Sequence, residues 1–239
     1  MSAYLLVHGA WHSGQSWDRV VPLLSMAGHR VLAPSLTGHG DRAELLGPEV
    51  GLDTYVDDIV RLVTEEDLTE VILVGHSYAG MVVASVADRI PDRIAHLVYL
   101  DAMVPEDGEN AIDVIPMTQL LIDQAARSDV PWRIPPLPQL PPPAGLFGVT
   151  DPADVAWVRS MLSDEPVRCF QQRVHLDNPA ANAIARTHIH CVAGAPPGRR
   201  PVPATQPNGT PAQVWELPTG HDCMVTMPVE LSELLLKLA

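Results

Sequence analysis

The sequence predicts an α/β protein, in which a mostly parallel β-sheet has helices on both faces and carries an inserted helical, proline-rich segment. Apolar runs alternate with stretches of helical periodicity at both ends of the chain, and a central block breaks this alternation. The chain has 239 residues, of which 46% are hydrophobic and 18% charged. This length and composition suit one large domain with a full core.

Short apolar runs predict the strands of the sheet. They are AYLLVHG (3–9), RVLAPSL (30–36), EVILVGHS (70–77), RIAHLVYLDA (93–102), THIHCVAG (187–194) and AQVWELP (212–218). Helix-spaced stretches lie between them or follow the last one. They are WDRVVPLLSMAGH (17–29), TYVDDIVRLVTEED (54–67), YAGMVVASVADRI (78–90) and PVELSELLLKLA (228–239). Strand-helix-strand succession at this spacing predicts parallel pairing.

The central block has a different pattern. Its two amphipathic stretches, 111–128 and 151–175, are separated by PWRIPPLPQLPPPAGLFG (131–148). Proline lacks an amide donor and fixes φ, so we expect no regular structure there. We therefore predict a core formed by 1–102 and 187–239, with a lid inserted at 103–186.

Net charge and cysteine content argue against several classes of partner and site. A net charge of −14 argues against nucleic acid and anionic membranes as partners, because phosphates would be repelled. The chain starts directly with an apolar, strand-like run, so we expect a cytoplasmic protein. Its three cysteines have no metal-type spacing and are expected to be reduced. We expect a small-molecule substrate, no cofactor and no metal, and a homodimer stays open.

The segment VILVGHSYAG (71–80) carries the sharpest chemical signal. Ser77 lies between a predicted strand and a predicted helix, with small residues at Gly75 and Ala79. This is the arrangement of a nucleophile elbow, in which a tight turn lifts the serine hydroxyl above the sheet. Ala79 stands where a second glycine is usual, and Gly80 follows it.

A serine nucleophile needs a base, and His221 in LPTGHDCMVTMP (217–228) follows the last strand in the serine-to-histidine order of this topology. His188 and His190 share one strand face but have no third ligand nearby, which makes a metal the weaker interpretation.

The segment VHGAWHSGQSW (7–17) follows the first strand and offers oxyanion donors. The amide of Ala10 can pair with that of Tyr78, the residue after the nucleophile. Trp11 and His12 are candidates for the substrate pocket, as are two methionines, Met103 and Met224, because methionine fits varied apolar shapes.

Together, VHGAWHSGQSW, APSLTGHGDR, VILVGHSYAGMV, LVYLDAMVPEDG and GHDCMVTMP carry a family resemblance. The chain resembles α/β-hydrolases of the small-lid esterase group, which includes plant methyl-salicylate esterases and hydroxynitrile lyases. The resemblance implies the α/β-hydrolase fold, Ser77 as nucleophile, His221 as base, and the amides of Ala10 and Tyr78 as the oxyanion hole.

One departure concerns the acid of the triad. The family's acid usually follows the strand HIHCVAG, but residues 187–213 contain no Asp or Glu. Asp101 ends the adjacent predicted strand, about 5 Å away, and is our predicted acid. Asp222 is poorly placed to reach the ring beside it, and Glu106 and Asp107 lie at the lid entry. If Asp101 only caps its strand or contacts substrate, the site is a Ser-His dyad.

The resulting prediction is a carboxylic-ester hydrolase acting on an ester, thioester or lactone of a small, largely apolar substrate. A lyase or cyclase using the same Ser-His pair, or a ligand-binding module on a hydrolase scaffold, are the alternatives. Hydroxynitrile lyases of this type carry a lysine beside the histidine, and Asp222 has the opposite charge. The acid-free segment 191–206 is predicted to be a surface loop, with Arg199 and Arg200 as a solvated pair.

Overall fold

A computed structural model describes residues 2–193 and 199–239. A six-stranded parallel sheet, in the order β2-β1-β3-β4-β7-β8, forms its centre. The strands are β1 (Ala3–Val7), β2 (Arg30–Leu32), β3 (Val71–His76), β4 (Ile94–Leu100), β7 (Ala185–Cys191) and β8 (Gln213–Leu217). A short antiparallel pair joins β5 (Arg133–Ile134) to β6 (Glu165–Pro166). The predicted α/β fold with a mostly parallel sheet is confirmed.

The helices of the core segments are α1 (Val21–Met26), α2 (Leu52–Glu65), α3 (Ala79–Arg89), α8 (Cys223–Thr226) and α9 (Pro228–Leu236). Between β4 and β7 lie α4 (Ala111–Val114), α5 (Thr118–Ala125), α6 (Pro152–Met161) and α7 (Val167–Gln171). Short 3-10 helices cover Gly14–Trp17, Gly40–Leu45, Pro91–Arg93 and Pro179–Ala183.

Alternating side chains of the sheet enter two separate cores. Leu5 and Leu73 pack into one buried cluster, and Leu6 and Val74 pack into the other. Successive residues of a strand point to opposite faces, so a sheet that is apolar on both faces must be covered by helices on both. This explains why β3 is buried along its whole length.

The predicted lid, residues 103–186, differs from its predicted helices, which are interrupted. The stretch 111–128 forms α4 and α5, which are separated around Pro116. The stretch 151–175 forms α6, which ends at Met161, then β6, whose last residue is Pro166, and α7 directly after it. Within 131–148, regular structure is confined to the two residues of β5, as the proline content predicts.

Throughout the part of the chain that is described, we find no helix with both the length and the apolar character needed to cross a bilayer. The cytoplasmic location and the homodimer stay predictions.

Candidate active site

Ser77 lies in the turn between β3 and α3. Its φ of +57° is in the left-handed region, which a residue with a side chain rarely adopts. A β-carbon on Gly75 would come within 2.6 Å of a Val83 methyl, and one on Gly9 within 2.7 Å of the Ser77 β-carbon. Such strain and close packing are typical of a nucleophile elbow.

Packing explains why Ala79 replaces the usual second glycine of the elbow and is followed by Gly80. A β-carbon on Gly80 would collide with the carbonyl oxygen of Met103, whose own amide donates to the Ser77 carbonyl at 2.9 Å. The strictest demand for a glycine therefore falls on position 80 in this chain, and Ala79 fits beside it.

Asp101 and His221 are brought together as the sequence predicts. The His221 Nδ1 lies 2.6 Å from Asp101 Oδ2. Asp101 has a φ of +43° just beyond β4, and its side chain is 6% exposed. Burial opposes ionisation of Asp101, but the hydrogen bond and charge of His221, with the charge of Arg199, outweigh it and hold the pKa of the carboxyl below its ordinary value. The carboxylate is thus suited to orient an imidazole.

The prediction that Arg199 and Arg200 are a solvated pair is wrong. Arg199 Nη2 binds the second oxygen of Asp101, Oδ1, which also accepts the Cys191 amide at 3.1 Å. Arg200 makes two bonds to Glu109, of 2.9 and 2.7 Å. Each guanidinium is fixed by a carboxylate that lies far away in sequence. Residues 194–198 of the predicted surface loop lie outside the described residues.

The predicted oxyanion donors lie in the segments that follow β1 and β3. Ala10 follows β1, and Tyr78 precedes α3. Both residues are buried. Within 2–193 and 199–239, neither amide has a hydrogen-bond acceptor, as amides that serve an oxyanion require.

Of the four predicted pocket residues, Met103 is half-buried and lies beside Ser77. Trp11 is 6% exposed and belongs to a buried cluster, where its ring lies 5.9 Å from that of Phe147. His12 and Met224 are 1% and 0% exposed. Met224 belongs to the hydrophobic core, and both ring nitrogens of His12 are bonded within the protein. The burial of Trp11, His12 and Met224 does not support their assignment to the pocket wall, which stays a prediction.

Residues 4–234 match the alpha/beta hydrolase family. The chain belongs to that family. It is 38% identical over 240 residues, 98% of each chain, to the carbendazim hydrolyzing esterase of Nocardioides sp. strain SG-4G. It is 36% identical over 105 residues to methylesterase 2 of Arabidopsis thaliana, covering 43% of this chain and 40% of that protein. These relatives identify it as an esterase-type hydrolase.

Superposition on a solved structure supports the same fold. An extracellular α/β-hydrolase from a Paenibacillus species, described as homologous to tobacco salicylic acid binding protein 2, superposes with a TM-score of 0.79. The sequences are 24% identical, and the superposition covers 100% of this chain and 99% of that one.

A buried ion pair in this hydrolase escapes the sequence analysis. His12 Nε2 lies 3.0 Å from Asp222 Oδ2, and His12 Nδ1 lies 2.8 Å from the Ala10 carbonyl oxygen. With two acceptors, His12 is best satisfied as an imidazolium. Burial opposes this charge, but the charge and hydrogen bond of Asp222 raise the pKa of His12. The pair links the oxyanion segment to the histidine segment across 210 positions, which no local pattern reveals.

His76, the neighbour of the nucleophile, is neutral. Burial, followed by the charges of His221 and His12, lowers the pKa of His76 well below its ordinary value. Its Nε2 donates to the His221 carbonyl oxygen at 3.1 Å. This bond fixes the backbone that carries the base.

His76, His221 and Asp222 bring potential metal ligands within 4.8 Å of one another. Three atoms of these groups have partners: His221 Nδ1 faces Asp101, Asp222 Oδ2 faces His12, and His76 Nε2 donates to the His221 carbonyl oxygen. Two others, His76 Nδ1 and Asp222 Oδ1, have none among the described residues. A cation here would lie close to the buried, positively charged His12, so the donor set fits a histidine-positioning network better than a metal site.

Proposed function

We propose that this hydrolase cleaves the carboxylic ester of a small, largely apolar substrate through Ser77, His221 and Asp101. The observation that carries the proposal is the 2.6 Å contact between His221 Nδ1 and Asp101 Oδ2, beside a serine in a strained elbow. A carboxylate at Nδ1 keeps the proton on that nitrogen, which leaves Nε2 free to act as a base.

In the proposed reaction, Ser77 Oγ attacks the ester carbonyl carbon while His221 Nε2 takes the hydroxyl proton. The carbonyl oxygen becomes an oxyanion that accepts the amides of Ala10 and Tyr78. The carbon-oxygen bond then breaks, and the alcohol leaves with the proton from His221. Water then attacks the acyl carbon while His221 takes its proton. The bond from that carbon to Ser77 Oγ breaks, Ser77 Oγ takes the proton back from His221, and the acid is released.

A partly exposed aromatic side chain near the site favours a flat, apolar acyl group. The Phe147 ring lies 6.4 Å from the His221 ring, and the buried Trp11 ring supports it from behind at 5.9 Å between centroids. An aromatic face of this kind binds planar groups with little polar demand. Carbendazim, which names the relative aligned over 98% of both chains, is therefore a suitable test substrate beside p-nitrophenyl acetate and a thioester.

Labelling with a fluorophosphonate, read by intact mass, tests the proposal. Wild type should gain one adduct and hydrolyse at least one ester, and Ser77→Ala should lose both. Ser160→Ala is the matched control, because its hydroxyl lies on the exposed lid helix α6, and it should behave as wild type.

Absence of a Ser77 adduct would overturn the activated nucleophile and favour the ligand-binding alternative. A labelled Ser77 without turnover of any ester, thioester or lactone would favour a lyase or cyclase. Asp222 is an acid paired with His12, so it supplies no counterpart to the lysine of hydroxynitrile lyases.

A further inference from the structure

Glu165 is a carboxylate of the lid that is completely buried. It lies in β6, and its side chain has no exposed surface. Glu165 Oε2 accepts the Trp11 amide at 2.9 Å, and Oε1 accepts the Tyr55 hydroxyl at 2.8 Å. The ring nitrogen Nε2 of His39 lies 3.3 Å from Oε2. Burying a carboxylate is unfavourable unless several groups bind it, so this cluster is a built arrangement.

The group that Glu165 binds in the core is the segment beside the proposed oxyanion hole. Trp11 directly follows Ala10 and has a φ of +66°, a left-handed conformation that is unfavourable for a residue with a side chain. Surrounding bonds must therefore hold it there.

Those bonds come from the lid. Besides the Glu165 contact, the Trp11 indole donates to the Ile134 carbonyl at 3.0 Å, and the Trp11 carbonyl accepts the Ser163 amide at 2.9 Å. All three partners lie within 103–186. The lid thus fixes the peptide that follows Ala10, and Glu165 is its one charged contact with Trp11.

Neighbouring groups favour an anionic Glu165. Burial opposes ionisation, but the charge and hydrogen bond of His39, with the Trp11 amide and the Tyr55 hydroxyl, lower the pKa of Glu165. His39 is held in turn by Ser163 Oγ at 2.7 Å. The carboxylate also acts on His12, the next residue of the oxyanion segment, whose pKa it helps to raise.

We propose that Glu165 is a positioning residue for the oxyanion hole: an anionic lid carboxylate holds the backbone after Ala10 so that the Ala10 amide stays aimed at the reacting carbonyl. This inference rests on the proposed function. It assigns the lid a role in catalysis as well as in covering the substrate.

Two substitutions test the negative charge of Glu165 and the length of its side chain separately. Glu165→Gln keeps the size and removes the charge, whereas Glu165→Asp keeps the charge opposite His39 and shortens the reach to Trp11. We expect each to lower kcat about 10- to 100-fold, which is less than the 10²- to 10³-fold of losing an oxyanion donor outright. KM should change less than about 3-fold, because an oxyanion forms only after binding.

Two controls isolate the Glu165 carboxylate. Glu109→Gln changes another carboxylate of the same segment, the partner of Arg200, and Asp164→Asn changes the residue directly before Glu165, the partner of Arg133. Both should keep kcat within about 3-fold of wild type. Thermal unfolding of every variant measures the structural effect separately.

The affinity of an aryl trifluoromethyl ketone, which forms an oxyanion on the serine, is the second readout. It should weaken with kcat in both Glu165 variants and stay constant in both controls. Wild-type kcat in a folded Glu165 variant, or equal losses of kcat in Asp164→Asn, would overturn the inference. Failure of wild type to form a Ser77 adduct would instead overturn the proposed function.

Discussion

The carboxyl ends of β4 and β7 lie side by side and carry opposite charges. β4 ends at Leu100, which pairs with Ile189 of β7, and Asp101 follows it. β7 leads into a segment without acids that supplies Arg199. The two segments meet at the carboxylate of Asp101. Its Oδ1 accepts the Cys191 amide and the Arg199 guanidinium, and its Oδ2 faces His221. An acid that follows the neighbouring strand thus reaches the ring of His221, while the segment after β7 contributes a cation instead of an acid.

Replacing Asp101 should have the largest effect. Asp101→Asn should lower kcat by about 10³- to 10⁴-fold on p-nitrophenyl acetate, because an amide neither fixes the productive tautomer nor stabilises the imidazolium. Asp107→Asn is the matched control, since that side chain accepts the Leu176 amide at the lid entry and should leave kcat unchanged. Unchanged turnover in Asp101→Asn would show that β4 does not supply the acid.

Removing the cation should shift the pH profile of kcat/KM. Arg199 competes with the protonated base for Asp101, so Arg199→Gln should stabilise the protonated base and move the acidic limb to higher pH by about 0.5–1 unit. Other ionisable groups lie near Asp101 and His221. His76 and Asp222 are close to His221, and His190 and Cys223 are close to Asp101.

Arg200→Gln is the control for that profile. It removes an adjacent guanidinium of the same segment that binds Glu109 instead. Its acidic limb should coincide with that of wild type. If the acidic limb of kcat/KM in Arg199→Gln lies at the wild-type pH, or moves equally in both variants, Arg199 has no specific effect on Asp101.

The contribution of Asp101 to the free energy of unfolding should depend on pH. Its folded-state pKa is depressed, so the stabilisation is present above the unfolded value, about 4, and is lost as pH falls through the folded value. The difference in unfolding free energy between wild type and Asp101→Asn should persist to about pH 4 and narrow below it. Urea unfolding from pH 7 to 3 measures this, and a constant difference would argue against an ionised Asp101.

The smallest effect should come from the Arg200 pair. The side chains of Arg200 and Glu109 are 35% and 20% exposed, and pairs of this kind stabilise proteins by about 1 kcal/mol or less. Arg200→Gln should therefore lower the urea midpoint only slightly, and less so in 0.5 M salt. A loss of several kcal/mol would place Arg200 in the structural core of this region.

Much of the site follows from the sequence because its parts are local. Ser77 and His221 each follow a predicted strand, and the absence of acids after β7 directs attention to Asp101. The pairs of Glu165 with Trp11 and of Asp222 with His12 join residues 154 and 210 positions apart. Such pairs leave no periodicity, and they depend on packing that only the folded chain defines. The broken lid helices were missed because their apolar periodicity continues across Pro116 and Pro166.

The contact between Gly148 and Gly220 limits how lids can be exchanged among hydrolases of this fold. A β-carbon on either glycine would come within 2.5 Å of the other's α-carbon, and Gly148 also has a φ of +83°. One glycine belongs to the predicted lid, residues 103–186, and the other directly precedes His221. A transplanted lid must therefore bring its own glycine to this crossing, or the segment that carries His221 will be displaced. Modular engineering of substrate range has to treat these two positions as a single unit.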